Sequence, residues 1–455
     1  MTEDQYAKLV SGGIMAACFA VPLFTIPPEL TRSVSYALTM GGLAVAGVFA
    51  MILALIGLMK KYISGKSIVP VAAFGVVVLW GVISMIAGND FGIGMYGFTG
   101  RGEGVLALLF YFSFFTMGAS AKREKVLSSI ASGLIFSGLF HSIFALIQVF
   151  GKSVGFYRYA DLRVRINAAS GLAHSPLFLA VYLTFAMIAA LFGIGFFKEK
   201  WKKIIAWAAL CLMSFIMVFT YTFIGFCGLG LALIALFIAV FAGKAPKLTL
   251  TAGLGIVVPA VLGIVLVNAG AIGSISSYRL YDGRLLWWAD SYIRLSASGD
   301  FDPERIDIDD TYDVYATMNA KALRIAGEDP LTGTGPDQMI YPQIYKTDFG
   351  DDIDRDLNDI IALNKGAFDR VYNEYINVAA TRGIPSAIAV AAVLILSIAG
   401  GISSAKKRRS WQPVMATAIT VTGALLFLIC CSSMAFAPIF WCTAGACCAV
   451  FPREE

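Results

Sequence analysis

Only two imidazoles occur among the 455 residues, His141 and His174. His141 lies deep in an apolar run, GLFHSIFALIQVFG, with Gln148 two turns later. An ionisable group at that depth is either functional or a satisfied packing histidine. His174 stands just before Pro176, at the end of a basic segment, and is the one imidazole outside the apolar runs that could accept a proton. That segment, 151–174, carries Lys152, Arg158, Arg163 and Arg165 against a single acid, Asp161. Its arginines suit a phosphate or pyrophosphate, or else they pair with acids elsewhere in the chain. Arg284 accompanies Trp287 and Trp288 on an expected amphipathic helix, Gly283–Ser296, capped by Asp282. The tryptophans suit a membrane interface or the face of a sugar ring. Arg101 and Glu103 close a glycine-rich stretch, GNDFGIGMYGFTGRGEG.

Other motifs point less clearly to chemistry. GTGPD at Gly333–Asp337 lacks the Lys-Ser/Thr and the strand-to-helix setting of a phosphate loop. It reads as a turn ending a helix over Tyr315–Ala326, which stops at Gly327 with Pro330 beyond. Asp307 and Asp309 form a DID pair that could hold a metal, but chance pairs are common in so acidic a stretch. The patch Asp348–Asp356 lacks the ligand spacing of a calcium loop.

The elements that would position these residues are set by hydrophobicity. A chain 58% hydrophobic and 14% charged is far from the usual globular balance. Apolar runs of about 20 residues recur, the length needed to cross a bilayer as a helix. We expect an all-α integral membrane protein of about twelve spans, from Leu9–Pro27 to Met434–Phe451, with one large polar loop containing short helices. The division is 1–270 with nine spans, 271–375 as the loop, and 376–455 with three spans. Of the chain's 30 acidic residues, 20 fall between Asp282 and Glu374. The eight cysteines lie inside apolar runs and read as small core residues rather than disulfides. The N-terminus carries acids ahead of its apolar run and reads as a retained span.

Clusters such as Lys60–Lys61, Lys122–Arg123, Lys198–Lys203 and Lys406–Arg409 fall in alternate inter-span segments. The positive-inside rule makes these cytoplasmic, with both termini, and sends the acidic loop outside. Basic residues confined to such clusters give no reason to expect nucleic-acid binding.

Several segments together resemble the O-antigen ligase and O-antigen polymerase superfamily of bacterial membrane glycosyltransferases. They are YGFTGRGEGVLALLFY (96–111), AHSPLFLAVYL (173–183), Arg284–Trp288, EDPLTGTGPDQM (328–339) and YNEYINVAATRGIPSAI (372–388). The resemblance implies transfer of a glycan from an undecaprenyl-diphosphate carrier to a glycan or lipid acceptor, on the outer face of the bacterial cytoplasmic membrane. It calls for no cofactor, metal or nucleotide sugar. Arg101, Arg163, Arg165, Arg279 and Arg284 would hold the diphosphate, and Trp287 and Trp288 would meet the glycan or the interface. The family's histidine at the loop end is replaced here by Tyr372, followed by Asn373, nine residues and Gly383. Tyr372, Asn373 and Glu374, with His174, are therefore the candidate catalytic groups. The rival readings are a non-catalytic binder of lipid-linked glycans and a transporter, which would favour mid-span charges and internal repeats.

Overall fold

The computed structural model describes residues 1–24, 35–63, 65, 67–98, 101–120, 124–150, 157–158, 167–173, 175–220, 222–241, 247–269, 319, 322–339, 370–407 and 411–448. These residues form helices α1 (Glu3–Phe24), α2 (Ser35–Met59), α3 (Ile68–Ala87), α4 (Phe91–Tyr96), α5 (Val105–Ala119) and α6 (Glu124–Phe150). There follow α7 (Pro176–Phe196), α8 (Lys200–Val218), α9 (Phe223–Phe241) and α10 (Lys247–Asn268). The last three are α11 (Glu374–Lys407), α12 (Gln412–Leu426) and α13 (Ala437–Cys448). Beside the helices there is one antiparallel ladder, Tyr157–Arg158 against Asn167–Ala168. Among the described residues, seven helices are long and apolar enough to cross a membrane: α2, α3, α6, α7, α8, α9 and α11. Shorter apolar helices, α5 and α13 among them, pack between these. A helix satisfies its own backbone in hydrocarbon, which is why apolar runs of this length fold as helices.

Local signals fix several helix starts. Ser175 accepts the Phe178 N–H at 3.2 Å, with Pro176 in the first turn of α7. Asp90 accepts the Ile93 N–H at 3.0 Å and so starts α4. The central element is α7, whose candidate span is entirely buried. Its Phe185 stacks on Phe440 of α13, 5.7 Å between ring centres. α13 lies against α5 at backbone distance: a Cβ on Gly118 or on Gly445 would sit 2.0 Å from a carbonyl oxygen of the other helix. Small residues permit such close approach between membrane helices.

Hydropathy puts the start of the first span after the loop at Gly383, but the helix begins earlier. α11 opens at Glu374 and kinks at Gly383, where φ is 80°. Within the large loop, the helix expected to stop at Gly327 continues over 322–328 and gives way to the expected turn at GTGPD. The other expected loop helix, Gly283–Ser296, and the patches at Asp307–Asp309 and Asp348–Asp356 lie outside the described residues.

Loops gather at two ends of the bundle. At one, Tyr6 donates to the Leu53 carbonyl at 2.8 Å and meets Ser120 at 2.7 Å, while Tyr62 reaches the Met1 carbonyl at 2.9 Å. Ser67, just ahead of α3, donates to the Cys448 carbonyl at the end of α13 at 2.6 Å. At the other end, the segments around 88–104, 330–338, 370–383 and 427–436 pack on one another, as described next.

Candidate functional site

The first turn of α11 is bolted to the break between α12 and α13. The Glu374 N–H donates to the carbonyls of Phe427 (2.8 Å) and Cys430 (3.1 Å), and Asn373 caps the helix by accepting the Ile376 N–H at 3.2 Å. This buries the Glu374 side chain. Its Oε2 accepts the Ser432 N–H at 2.8 Å and the Asn377 amide at 3.4 Å, and its Oε1 pairs with Arg382 at 3.3 Å.

At Gly383 the helical backbone breaks and carbonyls lose their usual donors. The glycine turn supplies replacements: Thr334 N–H to Ala380 (3.0 Å) and Gly335 N–H to Thr381 (2.9 Å), with Ile384 N–H returning to Pro330 (2.8 Å). Only glycine fits at 383, since φ is positive and a Cβ would lie 2.1 Å from the Leu331 oxygen. From α3, Trp80 donates to Leu331 at 2.6 Å and Ser84 to Thr381 at 2.8 Å.

The same turn delivers Asp337. Its Oδ1 pairs with Arg101 at 2.7 Å and its Oδ2 accepts the Phe98 N–H at 2.6 Å. Both side chains of the pair are at most 6% exposed. Next to it, Gln338 accepts the Asp90 N–H at 2.9 Å and donates to the Asp90 carbonyl at 2.6 Å. The loop ahead of α5 is thereby zipped to the turn.

These segments enclose a cleft of about 640 Å³ of empty space, mouth included. Arg101, Arg370 and Arg382 line it with Glu103, Asp337 and Glu374. Phe74, Val77, Leu108, Val390 and Trp441 form its apolar wall. Arg370 donates to the Cys431 sulfur at 3.6 Å and lies 5.1 Å over the Phe178 ring. Glu103 accepts the Tyr111 hydroxyl at 2.9 Å. It is half-buried, open to the cleft yet walled from bulk solvent. Burial pushes its carboxyl from the ordinary 4.5 up to about 8; Tyr111 pulls it back, while Glu374 and Asp337 push it further. Among the described residues, no three His, Cys, Asp or Glu side chains are placed to share a metal ion.

The structure brings together two of the expected site residues, Arg101 and Glu374. Tyr372 packs half-buried against the apolar core, and Asn373 serves as the helix cap. His174, Arg163, Arg165, Arg279, Arg284, Trp287 and Trp288 lie outside the described residues. His141 is buried and turned to structure: its Nδ1 accepts the Leu172 N–H at 3.4 Å. Gln148 likewise accepts the N–H groups of Ser170 (3.1 Å) and Gly171 (2.8 Å). Glu103 was visible at the mouth of a span without a role, and Asp337, Arg370 and Arg382 were not singled out. The available signal was their sequence neighbourhood: Asp337 ends the glycine turn, Arg370 precedes Tyr372 by two, and Arg382 precedes the glycine kink. All eight cysteines are free thiols. No family model and no curated protein matches the chain.

Proposed function

We propose that this chain transfers or polymerises a lipid-linked polysaccharide, taking the glycan from an undecaprenyl-diphosphate carrier to a glycan or lipid acceptor on the outer face of the bacterial cytoplasmic membrane. The observation that carries the reading is the enclosed cleft in which three arginines and three carboxylates meet at one end of an apolar helical bundle. Buried charge is expensive in such a protein and points to function. Guanidinium groups match phosphate oxygens and stabilise a departing diphosphate. Arg382 spends one 3.3 Å contact on Glu374, and a guanidinium has five donors. The long polyprenyl tail would run along lipid-facing helices, where α3 exposes Val69, Val76 and Leu79.

Orientation follows from charge. Lys60 and Lys61, Lys198 to Lys203, and Lys406 and Lys407 belong to segments that alternate with those forming the cleft, which favours the outer side for the cleft. In the reaction, the acceptor oxygen bonds to the anomeric carbon as that carbon's bond to the diphosphate breaks. The electron pair departs on the phosphate oxygen, and a carboxylate takes the acceptor's proton.

The test is direct. Purified protein given an undecaprenyl-diphosphate oligosaccharide and a glycan acceptor should release undecaprenyl diphosphate and extend the acceptor, and Arg382→Ala should weaken carrier binding. A second reading, binding without transfer, draws on the internal pairing of Arg101 with Asp337 and Arg382 with Glu374. Carrier binding with no product from any acceptor would select it.

A further inference from the structure

Three carboxylates reach the cleft, and they differ in what their oxygens already hold. Asp337 commits Oδ1 to Arg101 and Oδ2 to the Phe98 N–H. Glu374 commits Oε1 to Arg382 and Oε2 to Ser432 and Asn377. Among the described residues, Glu103 holds the Tyr111 hydroxyl alone, on Oε1, and it lines the cleft with part of its surface open. A proton acceptor needs an uncommitted lone pair facing the substrate, and a carboxylate already clamped by a guanidinium and backbone N–H groups is a weaker base.

We infer that Glu103 is the catalytic base of the transfer reaction, with Tyr111 as its positioning residue; the inference rests on the transferase reading above. Glu103 Oε2 takes the proton of the acceptor hydroxyl as that oxygen bonds to the anomeric carbon, and the anomeric carbon–oxygen bond to the diphosphate breaks. The assignment moves the base away from Tyr372, which packs against the apolar core, to a residue in a different segment of the chain. Placement supports it: Glu103 stands one residue ahead of the N-cap of α5 and lines the same cleft as Arg101, Arg370 and Arg382. The charged and titratable groups facing Glu103 are Tyr111 from α5, Asp337 from the glycine turn, Glu374 and Arg382 from α11, and Arg101 and Arg370 from the flanking segments. Burial above all, with Glu374 and Asp337 adding to it and Tyr111 and Arg370 opposing, raises its carboxyl to about 8, within reach of neutral pH where a general base is effective. The active form is the ionised one, so the rate climbs with pH up to about 8 and then levels.

The experiment follows transfer from undecaprenyl-diphosphate-linked N-acetylglucosamine to an alkyl glycoside acceptor across pH 5–10, with carrier affinity measured on the same samples. Glu103→Gln should lower the rate about a hundredfold or more, abolish the rising limb and leave carrier affinity within about twofold. Tyr111→Phe removes the hydrogen bond that lowers the Glu103 proton affinity, so it should keep the limb and move it to higher pH. Wild-type transfer with Glu103→Gln within threefold of it, or with the limb unmoved in Tyr111→Phe, overturns the assignment and leaves the transferase reading standing. Carrier binding without product in the wild type overturns both.

Discussion

The two ends of the bundle solve the same packing problem with different chemistry. Where Tyr6, Tyr62 and Ser120 come together, hydroxyls meet carbonyls and one another, and the Tyr6 and Tyr62 rings lie 4.9 Å apart. Where α3, α5, α11 and the α12–α13 break meet, three arginines and three carboxyl side chains lie among Phe74, Leu108 and Trp441. Hydrogen bonds between neutral groups can tie helix ends together at a modest desolvation cost. Charges taken out of water are not needed for that and carry a large desolvation penalty. The contrast separates what the fold requires from what the cleft adds.

Substitutions can break this contrast, and the largest effect belongs to the charged end. Asp337→Ala strips Arg101 of its carboxylate and Phe98 of its acceptor, and should destabilise by about 3–5 kcal/mol, read as the unfolding midpoint in detergent. A loss no greater than that of a single hydroxyl at the Tyr6 end would erase the distinction. The next effect is set by pH. Glu103 ionises at about 8 in the folded chain against an ordinary 4.5, so its contribution is complete below pH 4.5 and is lost as pH rises through 8. Wild-type stability should therefore fall between pH 5 and 9, and Glu103→Gln should flatten that fall. Gly383→Ala forces a positive φ on a residue with a side chain and drives its Cβ against Leu331. About 1–3 kcal/mol should be lost from the strain alone, with carrier affinity falling alongside because the turn that holds Asp337 is displaced. Smallest is Tyr6→Phe, which removes the bonds to Leu53 and Ser120 at about 1 kcal/mol and should leave the cleft untouched.

Much of the helical framework was legible because hydropathy is local. Apolar runs declare helices wherever they occur, whereas the short α4 falls inside a stretch legible only as glycine-rich. Among the described residues, seven helices pass both the length and the hydropathy test, against about twelve expected spans. Part of that gap comes from α5, α12 and α13, which are apolar but short at 15, 15 and 12 residues. The cleft was legible only in fragments. Arg101 announced itself through glycines on both sides, and Glu374 through its motif. Asp337 looked like the end of a turn, which it is, but its partner lies 236 residues earlier in the chain. Arg382 belongs to a helix whose start the hydropathy placed nine residues late, because the polar first turns of α11 resemble loop. Local pattern reports a helix; it does not report which distant charge that helix will face.

The turn at 330–338 also has a kinetic meaning. It caps Ala380 and Thr381, receives Ile384, and holds Asp337 against Arg101 and Gln338 against Asp90. None of these bonds can be released singly without straining the others, so the turn, the helix break and the loop before α5 form one cooperative unit. Amide protons at Thr334, Gly335, Ile384, Phe98 and Asp90 should then exchange with solvent in a single concerted opening. The rate of that event would limit how quickly a large ligand enters or leaves the cleft.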